Sequence, residues 1–261
     1  FYDRGTKLAL IPLQRTNQIF QQVLLPILSR MAESAERYRS AYLRIMRQLM
    51  LFFVPGVVAV GVTAPVLVPF LIGDQWRASA PILAWLTLAA LHRPVSLTMN
   101  LLFVSQGRGR AYMVWSLFSM VTSILAFVIG LRWGVLGVAA AFGLSDLLVR
   151  MPFLWWWVTR KGPIKLTDLI GAATPFVAGG AVAFAMVSLA QTMPFPNEFL
   201  LLALSAILSY AAAWGTVAMF ESGRGTMADT LYLVQREGPR FLRVFKRRKD
   251  KTLAAPGGDV A

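Results

Sequence analysis

Three arginines with apolar neighbours are the residues in this chain best placed to do chemistry. Arg93 lies in "LHRPV" (91–95), inside "APILAWLTLAALHRPVSLTMNLLFVSQG". Arg15 lies in "IPLQRTNQIFQQVLLP" (11–26) and Arg150 in "FGLSDLLVRMPF" (142–153). A guanidinium at the centre of a bilayer costs about 2.5–3.5 kcal/mol on insertion scales, so it faces a cavity or a partner rather than lipid. For Arg93 two readings follow: an anion-binding cation in a water-filled cavity, or a structural pairing with another helix. Pro94 beside it cannot donate a backbone hydrogen bond and frees a carbonyl one turn earlier. His92, the one histidine of the chain, points about 100° away on the helix and reads as a packing or hydrogen-bonding residue, not a proton switch.

Around Arg15, Gln14, Gln18 and Gln21 recur at i, i+4 and i+7 and form a polar stripe that lipid would not tolerate. Such a stripe binds sugar hydroxyls and phosphates, or it holds helices together through amide hydrogen bonds. Asp146 and Arg150 are four residues apart, on one helical face in the favourable acid-first order, and read as a structural ion pair. Asp146 is the one carboxylate deep in an apolar run. A membrane-embedded hydrolase or transferase would need two carboxylates or a metal cluster. With no cysteine and a single histidine, the chain offers no thiol nucleophile, no cysteine-ligated metal and no histidine-rich site. We expect no enzyme, cofactor or metal centre. "GRGR" (107–110) is too short to read as a phosphate loop.

The elements that must position these residues are membrane helices. Of 261 residues, 57% are hydrophobic and 15% charged, well outside the balance of soluble domains. "LMLFFVPGVVAVGVTAPVLVPFLI" (49–72) carries no charge, and about 20 such residues span a bilayer. The pattern predicts an all-α, polytopic integral membrane protein with seven transmembrane helices, at about 6–29, 46–72, 79–104, 111–131, 134–158, 168–191 and 198–220. Residues 1–220 form the transmembrane domain and 221–261 a basic tail. Prolines in or at the ends of most spans predict kinks, or neighbours that supply the missing hydrogen bonds. The chain starts with Phe1 and carries nothing like a signal peptide, which suggests a portion of a longer polytopic chain.

The net charge of +14 would suggest nucleic acid in a soluble protein, but here its location excludes that. Connections alternate between rich and poor in Lys/Arg: Arg30, Arg37, Arg39, Arg44 and Arg47, then Arg77 alone, then Arg108 and Arg110, then Arg132 alone. Arg160, Lys161 and Lys165 follow, and "QTMPFPNE" has none. Positive charge concentrates in cytoplasmic loops, so the C-terminus is predicted in the cytoplasm and Phe1 on the extracytoplasmic side. The tail sequence "REGPRFLRVFKRRKDK" is either a solvated topology anchor or a short interfacial helix on anionic lipid. "WWW" (155–157) anchors a helix end at the interface.

Three stretches together resemble the Wzx-type polysaccharide flippases of the MOP exporter superfamily: "FYDRGTKLALIPLQRTNQIFQQVLLPILSRM" (1–31), "PFLIGDQWRASAPILAWL" (69–86) and "WGVLGVAAAFGLSDLL" (133–148). The resemblance covers about residues 1–160 and implies the C-terminal part of a two-lobed helical exporter, helices eight to fourteen. It implies movement of polyprenyl-diphosphate-linked oligosaccharide across the bacterial inner membrane for exopolysaccharide or lipopolysaccharide synthesis. It also implies other polysaccharide assembly proteins as partners, and a diphosphate as the anion for Arg93 and Arg15. Where that family often has arginine before "VLFP", this chain has Gln22 before Val23, so no basic role carries over there. The other readings are an ion-coupled drug exporter of the same superfamily and a membrane-embedded envelope glycan polymerase or ligase.

Overall fold

The computed structural model describes residues 34–91, 93–160, 162–195, 197–232 and 235. Among these residues the regular structure is all helical, with no strand. The stretches Ala35–Ile72, Asp74–Ser105, Gly109–Thr159, Leu166–Ala190 and Glu198–Met219 are each long and apolar enough to cross a membrane. The candidate residues Gln14, Arg15, Gln18 and Gln21, and the predicted span at 6–29, lie outside the described residues.

Helix α1 (Ala35–Ile72) is the longest, at 38 residues. At 1.5 Å per residue it is about 57 Å long, far more than the ~30 Å of a hydrocarbon core. Its first turns therefore project beyond the core, and they carry Arg37, Arg39, Arg44 and Arg47. The sequence expectation began this span at residue 46; the helix starts eleven residues earlier because that arginine-rich stretch buries Tyr38 and Tyr42 on its inner face. A 3₁₀ helix (Asp74–Ser79) leads into α2 (Ala80–Leu91), followed by α3 (Arg93–Ser105).

The stretch Gly109–Thr159 is not one rod. Helix α4 (Gly109–Gly130) ends in a 3₁₀ turn (Leu131–Trp133), and the chain folds back into α5 (Gly134–Ser145). Gly134 has φ +67°, a conformation that favours glycine. The reversal is tight: a Cβ on Gly130 would lie 2.5 Å from the Val138 Cα. A π-helical turn (Asp146–Arg150) then leads into α6 (Met151–Thr159). Helices α7 (Leu166–Gln191) and α8 (Glu198–Met219) complete the apolar set. Residues 221–232 form a ninth helix, α9.

Helix α1 is the axle of the bundle: α2, α7 and α8 all pack against it, and α7 and α8 pack on each other. Helix α2 also contacts α5, joining this group to the α4–α5 hairpin. The three prolines inside α1, Pro55, Pro65 and Pro69, would leave carbonyls without their helical donors. Helix α8 repairs the first gap. Trp214 Nε1 donates to the Leu51 carbonyl at 3.1 Å, Tyr210 to Phe52 at 3.0 Å and Ser209 to Pro55 at 2.7 Å. Gln191 of α7 donates to the Val62 carbonyl at 2.8 Å.

The side chains at the helix ends sort by charge. One end gathers the start of α1, the 105–109 loop, the 160–165 loop and α9. Tyr38 and Ser105 share a 2.6 Å hydrogen bond there, Arg39 pairs with Asp168, and Arg44 Nε lies 2.8 Å from Asp229. The opposite end holds Asp74 with Arg77, the 131–134 turn and the 192–197 connection. The connections that alternate in charge along the sequence thus come together in space, rich with rich.

Candidate substrate-binding site

Arg150 sits in the π-helical turn, and its side chain is only 6% exposed. A buried guanidinium must find partners for its charge and donors, and this one has an ion pair and hydrogen bonds from both terminal nitrogens. Its Nε lies 2.9 Å from Asp146 Oδ1, Nη1 donates to Ser123 Oγ at 2.9 Å, and Nη2 approaches the Phe142 carbonyl at 3.4 Å. The plane also lies 4.5 Å from the Phe142 ring centroid, a favourable cation–π position. Ser123 completes the network by donating to the Ser119 carbonyl at 2.7 Å. Arg150 thereby ties the second arm of the hairpin to α4.

The π turn makes that reach possible. One extra residue in the turn shifts the register of the helix and redirects the side chains that follow it. Here Pro152 lies just beyond, at the start of α6, where a missing donor is best tolerated.

Arg93 opens α3, beside buried Pro94 and Val95, and its side chain is exposed on the described bundle. It is near enough to Arg150 for the two charges to act on one another. Depth along the chain agrees. Arg93 is twelve residues before Ser105, about 18 Å from the arginine-rich end, and Arg150 is nine residues before Thr159, about 14 Å from it. Both guanidiniums therefore lie near the middle of a ~30 Å core. Among the described residues at this depth, Asp146 is the one carboxylate, and it pairs with Arg150. The structure pairs Arg150 with Asp146 and sets Arg93 at the start of α3, while Arg15 and the glutamines lie outside the described residues.

The residues that sequence reasoning missed here are Ser123 and Phe142. A faint signal exists for the first: Ser119, Thr122 and Ser123 form an i, i+3, i+4 polar stripe in an otherwise apolar helix. Below this level, Tyr42, wholly buried, shares a 3.1 Å hydrogen bond with Thr98 on the next turn after Pro94. No group of three or more His, Cys, Asp or Glu that could hold a metal occurs among the described residues.

A comparison with known families matches residues 1–81 to the family described as "Polysaccharide biosynthesis protein". That stretch is similar to the polysaccharide biosynthesis proteins. The chain is also similar to "Lipopolysaccharide biosynthesis protein WzxC" of Escherichia coli (strain K12), with 24% identity over 148 residues, which is 56% of this chain. The chain covers 30% of that relative's length. No solved structure matches. Long apolar helices that carry, among the described residues, two arginines and one carboxylate at mid-depth make a multi-pass membrane arrangement.

Proposed function

We propose that this chain forms part of a flippase that moves polyprenyl-diphosphate-linked oligosaccharide across the bacterial inner membrane for surface polysaccharide synthesis. The reading rests on one observation above others. In a chain similar to polysaccharide biosynthesis proteins, Arg93 and Arg150 lie at the same depth, where Asp146, paired with Arg150, is the one carboxylate among the described residues. A diphosphate crossing the membrane needs cations placed where water is scarce, because its own hydration is lost there. Arg150 is already engaged by Ser123 and Asp146 and acts as the structural member. Arg93, exposed on the bundle, is the contact for the diphosphate, with Arg15 as a second cation and Gln14, Gln18 and Gln21 for sugar hydroxyls.

The role is transport rather than catalysis. Among the described residues the site offers one carboxylate, and a glycan polymerase or ligase would call on two acid–base groups. In this reading the arginine-rich end faces the cytoplasm, following the positive-inside rule. The deciding experiment uses the full-length protein. Arg93→Ala is expected to lower surface polysaccharide and leave lipid-linked oligosaccharide accumulated on the cytoplasmic face, with membrane protein level unchanged. Wild-type polysaccharide output from that variant would overturn the assignment.

A further inference from the structure

A second cationic feature lies at the membrane surface, well away from Arg93. The 105–109 loop, the first turn of α4 and the end of α6 enclose a cleft of about 810 Å³ whose lining includes Arg108, Arg110, Arg160, Gly109, Ala111 and Trp157. Sequence spacing alone gave no reason to join these residues, since Arg160 is fifty positions beyond Arg110. The fold joins them through Trp157, whose indole donates to the Ala111 carbonyl at 3.0 Å, and Arg108, whose Nη1 donates to the Val158 carbonyl at 3.2 Å.

Three further facts describe the chemistry of the cleft. Arg39 and Arg44, at the same end of the bundle, are each paired with a carboxylate, whereas among the described residues none of Arg108, Arg110 and Arg160 forms an ion pair. Two of them are held in place by aromatic rings: Arg160 lies 4.5 Å from the Trp156 centroid and Arg108 5.5 Å from that of Phe103. Rings position a guanidinium without neutralising it. Finally, the backbone is open. Nothing lies within 4 Å of where a Cβ on Gly109 would be, so the unpaired N–H groups in the first turn of the 22-residue α4 are approachable. Partial burial holds the Arg108 pKa below its ordinary value, with the nearby Tyr38 hydroxyl opposing, and the group stays charged at neutral pH.

We propose that this cleft is a binding site for the phosphate of a membrane lipid, with Arg108, Arg110 and Arg160 as its cations and the α4 N-terminus as its backbone donor. Its place explains why a lipid suits it better than a soluble anion. Trp156 and Trp157 sit at the end of α6, where indoles occupy the headgroup level. Val114 on the cleft wall and exposed Met113 and Leu117 continue down α4 as an apolar track for the attached chain. The phosphate could belong to an anionic phospholipid or to a prenyl diphosphate. Both present the same chemistry to the arginines. This inference does not rest on the transport reading.

The test uses the purified full chain in detergent, with bound lipid counted by native mass spectrometry. Phosphatidylglycerol, phosphatidylcholine, farnesyl diphosphate and inorganic diphosphate are titrated separately. Phosphatidylglycerol or farnesyl diphosphate is expected to bind more tightly than phosphatidylcholine and inorganic diphosphate, and the tighter of the two names the source. Arg110→Gln with Arg160→Gln is expected to weaken that binding about tenfold. The charge-matched pair Arg37→Gln with Arg224→Gln, both exposed at the same end, is expected to leave it unchanged. Equal weakening by the two pairs would reduce the site to diffuse surface charge and overturn the proposal. So would inorganic diphosphate binding as tightly as either lipid, or no weakening by the first pair. Unfolding midpoints accompany each variant; if the double variant is unfolded, Arg160→Gln alone carries the same comparison, with about a threefold loss expected.

Discussion

The indole of Trp214 in α8 donates to the carbonyl of Leu51 in α1 at 3.1 Å, and Leu51 is the residue whose helical donor Pro55 removes. A side chain from one membrane helix thus completes the backbone of another. In lipid an unsatisfied carbonyl costs several kcal/mol, so the bond lets a proline occupy the interior of the longest helix without exposing a polar gap.

Trp214→Phe removes that donor and keeps most of the ring. It is expected to lower stability by about 1–3 kcal/mol, read as a lower unfolding midpoint in detergent. Pro55→Ala restores the helical N–H, so the cost of Trp214→Phe in that background is expected to shrink. The double-mutant cycle reads the coupling directly. Equal cost in both backgrounds would show that the ring, rather than the N–H, matters.

Close helix approach supplies the next expectation. A Cβ on Gly143 of α5 would lie 2.5 Å from the Trp85 carbonyl of α2, a backbone atom that cannot step aside. Gly143→Ala is therefore expected to separate the helices and to cost about 1–3 kcal/mol. Gly171 in α7 has nothing within 4 Å of the same position. Gly171→Ala should be neutral, or stabilising by up to about 1 kcal/mol through helix propensity. Thermal unfolding of the two variants side by side checks the contrast.

The buried pair makes a sharper case. Arg150→Met removes a guanidinium that binds Ser123 and Asp146 and takes one counter-charge from the carboxylate at mid-depth. Breaking one side of a buried pair costs about 3–5 kcal/mol, while replacing both partners with apolar groups is often close to neutral. Arg150→Met combined with Asp146→Leu is thus expected to fold better than Arg150→Met alone, measured as the monodisperse yield after extraction. If the single variant is as stable as the double, the pair contributes nothing to the fold.

Much of this architecture was legible in the sequence because it depends on local properties. Charge-free runs announce spans, and the Asp146–Arg150 spacing places two opposite charges on one face. What was not legible depends on which helix stands beside which. The prolines of α1 indicated that something must satisfy their carbonyls, but only the packing of α8 names Trp214, Tyr210 and Ser209. The π-helical turn has no composition of its own, so Ser123 as a partner of Arg150 could not be read from spacing. "GRGR" was judged on four residues, while its meaning depends on Arg160 and Trp157 arriving from another helix. The early start of α1 was missed because its arginines look like a loop until the buried Tyr38 and Tyr42 are seen between them.

The sorting of charge between the two ends gives the last expectation. Among the described residues, one end carries Arg37, Arg39, Arg44, Arg47, Arg108, Arg110, Arg160, Lys165 and Arg224, and the other only Arg77 and Arg132. The positive-inside rule assigns the first end to the cytoplasm. The chain has no cysteine, so single-cysteine variants report without background. A cysteine introduced as Arg37→Cys at the arginine-rich end should react with a membrane-impermeant maleimide only after the cells are opened. Thr192→Cys, in the connection between α7 and α8, should react in intact cells. Labelling in the reverse pattern would invert the orientation, and with it the side from which a diphosphate-linked substrate reaches Arg93.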